Sequence, residues 1–326
     1  MAVAKVVVLG TGGTIAGTGT DQKALTYQAA QLGVDEVVEQ VTSAAADLAG
    51  IPVESLQVAQ IDSKDMDWSV WQDLARALQA ELAREEVGAI VITHGTDTLE
   101  ETAFLLDRLL DVSKPIVLTA AMRPATSDEA DGPRNLHDAL RVAHAAARQG
   151  QAGVVVVMAG KVWPGRSVRK VQSCQIDAFD GGGCAPLGLI TDSGAITDTK
   201  DWPTPGGGGW ACLMADQPPR VEIVTSHAGA DGWVVDALLA QPLAGELKGL
   251  VVAGTGHGTI HRGLVRALLA AEERGVRIWR STRVAYGGVD FREGDRWPAA
   301  GTLTPAQVRV ALMLDLMGIP SAGIRA

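Results

Sequence analysis

At 326 residues with 47% hydrophobic composition, the chain is long enough to bury two cores, and two domains are the expectation. Its 28 Lys and Arg against 38 Asp and Glu give a formal net charge of -10, with the basic residues scattered, which argues against nucleic acid and anionic membranes as partners. Three cysteines, Cys174, Cys184 and Cys212, make no disulfide framework, and a reducing compartment is the simpler reading.

The apolar stretch at 6–9 is far shorter than the h-region of a signal peptide, and no other run approaches a membrane span, so a cytoplasmic protein is expected. From there, short β-branched runs alternate with amphipathic segments. Strands are predicted at 6–9, 53–61, 89–93, 116–119 and 154–158, and helices at 34–46, 71–85, 99–110 and 135–148. That alternation predicts an α/β fold, a doubly wound, mainly parallel sheet over residues 1–192. Pro203, Pro205, the glycines at 206–209, Pro218 and Pro219 suit no element interior, so 193–219 reads as a linker. Strands at 221–225, 250–253 and 276–281 and helices at 233–240, 262–274 and 305–317 then build a smaller α/β domain over 220–326.

Three polar clusters each follow a predicted strand: GTGGTIAG at 10–17, DSKDM at 62–66 and HGTDT at 94–98. Ligands of open α/β sheets bind outside the carboxyl ends of strands, so three loops point at one crevice. In the first cluster a dinucleotide turn is a poor match, because the third glycine of G-x-G-x-x-G falls at Ile15 and no Lys-Ser/Thr pair follows. Two readings remain: glycines that let the backbone approach a small substrate beside Thr14, or a tight turn with no chemistry. In the third cluster Asp97 precedes Thr98, Leu99 and Glu100, a capping box for the next helix, and Thr96 has no capping duty in that register. A threonine hydroxyl needs a neighbouring base, and a lysine of depressed pKa can serve. Lys170 is the candidate, against the ordinary reading of a solvated lysine.

The six histidines give no metal pattern. His257 and His261 are four apart but lie among Gly254, Gly256 and Gly258 with no acidic residue between them, while His137 and His144 read as satisfied structural histidines.

With these motifs in order, GTGGTIAG at 10–17, SKDM at 63–66, VITHGTDTLEET at 91–102, and AMRP with DGPRNL at 121–136, the sequence resembles the bacterial-type L-asparaginases through both domains. The resemblance implies a cofactor-independent hydrolase, with no metal, that cleaves the side-chain amide of L-asparagine and less readily of L-glutamine. It implies that Thr14 attacks the amide carbon and that Tyr27, on a mobile loop, positions or deprotonates it. Thr96, Asp97 and Lys170 form a hydrogen-bonded set in which Lys170 lowers the proton affinity of Thr96 and Asp97 binds the α-ammonium. Ser63 binds the α-carboxylate, and main-chain donors near Gly13 and Thr96 meet the oxyanion. A homotetramer with sites between paired subunits is also implied.

Three positions depart from the family. Lys64 stands where many relatives carry Gln or Glu, adding positive charge near the α-carboxylate, and Thr259 stands where some carry an asparagine. The loop at 284–301 reads as shortened. Glu293, with Asp290 as its rival, is the expected carboxylate that crosses to a neighbouring site. A dual asparaginase-glutaminase is the close alternative. An amidotransferase subunit or a non-catalytic amino-acid-binding protein fits less well.

Overall fold

The computed structural model describes residues 4–19, 26–191, 196–197, 202–204, 206–240 and 246–320. Two compact units divide at Met214 and Ala215.

In the first unit the strands are β1 (Lys5–Gly12), β2 (Thr18–Gly19), β3 (Tyr27–Gln28), β4 (Val53–Ile61), β5 (Val87–Thr93), β6 (Pro115–Thr119), β7 (Gly153–Met158), β8 (Lys161–Pro164), β9 (Arg169–Lys170), β10 (Phe179–Asp180), β11 (Gly188–Ile190) and β12 (Ile196–Thr197). The helices are α1 (Val34–Ala44), α2 (Trp68–Leu82), α3 (Leu99–Leu109), α4 (Gly132–Arg148) and the short α5 (Trp210–Leu213). Eight strands form one sheet in the order β12-β11-β8-β7-β6-β5-β1-β4. The five from β7 to β4 run parallel, and β8, β11 and β12 extend the sheet antiparallel.

The chain therefore leaves β1 to one side, places β4 there, and returns across β1 to place β5 on the other side. Such a reversal opens a crevice at the carboxyl ends of the strands where it occurs. Here those strands are β1, β4 and β5, and each ends in one of the three polar clusters.

Alternation along the strands divides the core into two layers. Val6 and Val8 of β1, with Ala89 and Val91 of β5 and Val117 of β6, pack under Val34, Val37, Val38 and Val41 of α1 and Leu136, Ala139, Leu140 and Ala143 of α4. Their β1 and β5 neighbours Val7, Leu9, Ile90 and Ile92 are equally buried on the opposite face, where α2 and α3 bury Leu74, Leu78, Leu99 and Leu105. Fully burying side chains of this size contributes about 1.5–3 kcal/mol each, which fixes the strand ends firmly.

Parts of the expected linker are structured. Ile196–Thr197 pairs as the sheet's edge strand, Trp210–Leu213 is helical, and the Gly209 N–H donates to the Leu109 carbonyl. Linker residues 193–195, 198–201 and 205 lie outside the described residues. The expectation of two satisfied histidines on α4 holds for one only. His137 Nε2 meets Asp47 at 3.1 Å, whereas the buried His144 Nδ1 has no hydrogen-bond partner among the described residues.

The second unit carries β13 (Arg220–Thr225), β14 (Leu247–Gly254) and β15 (Arg277–Thr282) in a parallel three-stranded sheet, with α6 (Trp233–Ala240), α7 (Arg262–Glu273) and α8 (Pro305–Leu316). Val224, Leu250, Val252 and Ile278 pack with Val235 of α6 and Leu264 and Leu268 of α7. Thr304 and Gln307 form a capping box at the start of α8, with Pro305 at its first position. Among the described residues no helix is long and apolar enough to cross a membrane, and no group of three or more His, Cys, Asp or Glu is placed to hold a metal ion.

His94, immediately after β5, is wholly buried. Desolvation pushes its imidazole down from 6.5 to about 4, against a smaller upward pull from the Gly95 carbonyl. As pH falls through 6.5 the unfolded chain protonates this ring first, so stability drops until about pH 4 and then levels off. The slope for one proton is roughly 1.4 kcal/mol per pH unit. Urea midpoints of the wild type and His94→Gln between pH 7 and pH 4 are expected to converge as pH falls, and parallel curves would contradict this burial of a neutral imidazole.

Candidate active site

Gly13, at the end of the first glycine cluster, has φ 80°, in the left-handed region open to glycine. A Cβ there would lie 2.5 Å from both Cα and N of Gly95. Gly95 is equally constrained, because a Cβ on it would strike the Ser63 side chain. The backbones after β1 and β5 thus touch, and the turn after β4 closes on them from the side. Two further bonds weld that turn in place: Asp97 N–H donates to Ser63 Oγ at 3.2 Å, and Thr98 Oγ1 donates to the Ser63 carbonyl at 2.8 Å.

Thr14 opens a single 3-10 turn, Thr14–Ala16, and is buried. Its Oγ1 lies 2.9 Å from the Tyr27 hydroxyl. Tyr27 is itself exposed (39%), held by the antiparallel pairing of β3 with β2. Residues 20–25 of its loop lie outside the described residues. The Gly13 N–H donates to the Ile61 carbonyl at 2.8 Å. Among the described residues the N–H groups of Thr14 and Thr96 have no partner and are open to a ligand, as are those of Ile15 and Gly95.

Lys170 reaches the second threonine. Its Nζ donates to Thr96 Oγ1 at 2.9 Å and to Asp97 Oδ1 at 2.7 Å. Two elements aim it: β9 pairs with β10, and the Lys170 N–H donates to Glu100 Oε2 at 2.7 Å. The capping-box expectation for Asp97 is overturned here. The N-cap of α3 is Thr98, with no side-chain cap bond, and the Asp97 carboxylate turns to Lys170 because an ammonium is the stronger partner. Glu100 is the residue that sequence reading missed in a useful role. It was assigned to the cap, and its link to Lys170 spans 70 positions that no local pattern reports.

The remaining expected residues fall as follows. Ser63 is buried beside Gly95 and begins the 3-10 turn Ser63–Asp65. Its Oγ accepts from Asp97, leaving its own proton to donate. Lys64 projects to solvent and is paired with Asp62 at 2.6 Å and Asp65 at 3.3 Å, its pKa raised chiefly by the Asp62 hydrogen bond. In the second unit Glu293 is exposed in the loop between β15 and α8. Arg280 anchors that loop, donating from Nη2 to Asp295 Oδ2 at 2.5 Å and from Nε to the Trp297 carbonyl at 3.0 Å. Asp290 gives its N–H to His257 Nε2 at 3.1 Å, and the Thr259 hydroxyl closes its own turn onto Thr255.

The AMRP and DGPRNL motifs brace the crevice from behind. Asp131 accepts the N–H groups of Met122 and Arg123, and Asn135 bridges the Ala120 carbonyl and the Ala159 N–H. This ties the loops after β6 and β7 to the start of α4. A separate cavity of about 470 Å³ against the far side of α4, lined by Arg141, His144, Val162 and Trp202, includes none of these groups. Its volume does not mark the chemistry.

Comparison with known proteins shows the family. Residues 5–202 match the asparaginase N-terminal family and residues 220–318 the glutaminase/asparaginase C-terminal domain. L-asparaginase 2 of Escherichia coli K12 is 35% identical over 97% of this chain and 90% of its own length. The glutaminase-asparaginase of Pseudomonas fluorescens biotype A is 34% identical over 96% of this chain and 86% of its own. Among solved structures, a probable cytoplasmic L-asparaginase from Campylobacter jejuni superposes with a TM-score of 0.86 at 32% identity, covering 96% of this chain and 95% of that one. The two threonine loops, the serine turn that joins them and both matched domains place the chain in the asparaginase and glutaminase-asparaginase family of amidohydrolases.

Proposed function

We propose that the chain hydrolyses L-asparagine to L-aspartate and ammonia with Thr14 as nucleophile. The observation that carries this reading is the convergence of two threonine hydroxyls at the Gly13–Gly95 contact, each with its own proton partner: Tyr27 for Thr14 and Lys170 for Thr96.

In this reading the substrate's α-carboxylate takes the free proton of Ser63. Its α-ammonium meets Asp97 Oδ2, the oxygen that Lys170 leaves open. Thr14 Oγ1 attacks the side-chain carbonyl carbon, and its proton moves along the 2.9 Å bond to Tyr27, whose own proton goes to the departing nitrogen. The C–N bond breaks and ammonia leaves an aspartyl ester on Thr14. Water, oriented by the Thr96 hydroxyl that Lys170 polarises, then attacks the ester, and the proton returns to Thr14. At each tetrahedral stage the N–H groups of Thr14 and Thr96 hold the oxyanion.

Glu293 acts on a neighbouring copy in a homotetramer, binding the α-ammonium there. Its exposure on a loop pinned by Arg280 and Asp295 supports that assignment.

Thr14→Ala and Thr96→Val are each expected to lower kcat by more than a thousandfold with an unchanged melting temperature, read as ammonia release. Activity within tenfold of wild type in either would remove that residue from its role. Relatives named L-asparaginase and relatives named glutaminase-asparaginase stand at nearly equal identity to this chain. One methylene in a pocket is worth about 1–3 kcal/mol, so kcat/KM for asparagine is expected to exceed that for glutamine by about 10- to 200-fold. Equal values, measured side by side, would make the chain a dual asparaginase-glutaminase.

A further inference from the structure

His94 belongs to the HGTDT motif, yet the reaction as drawn does not use it. It ends a chain of buried polar side chains between α2, α3 and the loop after β5. Trp71 Nε1 lies 2.9 Å from Thr102 Oγ1, Thr102 Oγ1 lies 3.0 Å from His94 Nε2, and His94 Nδ1 lies 2.7 Å from the Gly95 carbonyl oxygen. His94 and Thr102 are fully buried, and Trp71 nearly so.

The direction of every bond in this chain is fixed from both ends. A carbonyl only accepts, so His94 Nδ1 carries the proton and donates to Gly95. The ring is neutral, so Nε2 is bare and must accept, which turns the Thr102 proton toward it. An indole N–H only donates, so the Thr102 oxygen accepts from Trp71. No other order satisfies all three bonds.

We propose that Trp71, Thr102 and His94 form a positioning relay that aims the Thr96 N–H at the oxyanion. Carbonyl and N–H of one planar trans peptide point in opposite directions. Holding the Gly95 carbonyl on the His94 ring therefore turns the Thr96 N–H away from that ring, and Gly13 packs against the same Gly95. Burying three polar side chains has no net advantage over apolar ones of the same shape. Among the described residues, the only main-chain atom these three side chains serve is the one carbonyl whose peptide carries the Thr96 N–H. This role rests on the reading of Thr96 as an oxyanion donor, and the three residues touch neither substrate nor reacting atoms.

The test has two parts. Histidine-selective ¹⁵N NMR of the wild-type protein at neutral pH, with His94 assigned through His94→Gln, is expected to show Nδ1 protonated and Nε2 bare. The opposite tautomer would overturn the relay. In the second part Thr102→Val removes the hydroxyl at nearly constant shape. It is expected to lower kcat about tenfold with KM little changed, a fraction of the roughly hundred- to thousandfold loss that follows removal of a whole oxyanion donor, and Thr102→Ser is expected to restore it. Trp71→Phe gives the same readout if the valine variant does not fold. Wild-type kcat in the folded variants, beside an inactive Thr14→Ala, would discard the relay and leave the site reading standing. A fully active Thr14→Ala would overturn that reading, and the relay's role with it.

Discussion

Gly13 and Gly95 face each other without side chains at the carboxyl ends of neighbouring strands, and the placement of every reactive group follows from that contact. Paired strands lie about 4.8 Å apart, so loops leaving adjacent strands have little room to approach further. A single methyl at either position would separate Thr14 from Thr96, and a misplacement of about 1 Å can cost on the order of a hundredfold in rate. The glycines therefore set the distance between the two threonine loops. Ser63 completes the junction by filling the space that a side chain on Gly95 would take.

The turns that carry Thr14, Ser63 and Thr96 and the strand that carries Tyr27 differ in burial. Thr14 and Thr96 sit on turns directly after β1 and β5, whose side chains are almost wholly removed from water, and Ser63, after the partly exposed β4, is itself buried. Their positions are inherited from two apolar layers and from the Asp131 and Asn135 brace. Tyr27 instead comes from a two-residue strand with an exposed ring. The proposed reaction thus has its nucleophile, Thr14, on a buried turn and its proton partner, Tyr27, on an exposed two-residue strand.

Much of this was legible in the sequence because the fold's main signals are local. The β-branched runs around Val6, Val91 and Val155 and the three- and four-residue steps of the helices predict the parallel sheet, and three polar clusters after strands predict the crevice. The antiparallel extension was not legible. Lys161–Pro164 ends in proline, Gly188–Ile190 is three residues long, and Ile196–Thr197 is two, too short for alternation to register. At the site, sequence reasoning went wrong where a distant partner overrides a local one. Asp97 has the spacing of a cap, but Lys170 lies 73 positions away and takes its carboxylate. The DGPRNL motif carried family identity without revealing its physical role, since that role is to hold two loops remote in sequence.

The most direct test is to quench a steady-state reaction with acid and map the peptides by mass spectrometry for an aspartyl ester. The mass of one aspartyl group on the peptide carrying Thr14, and not on the one carrying Thr96, is the predicted result. The same increment on the Thr96 peptide, with none on Thr14, would contradict the account.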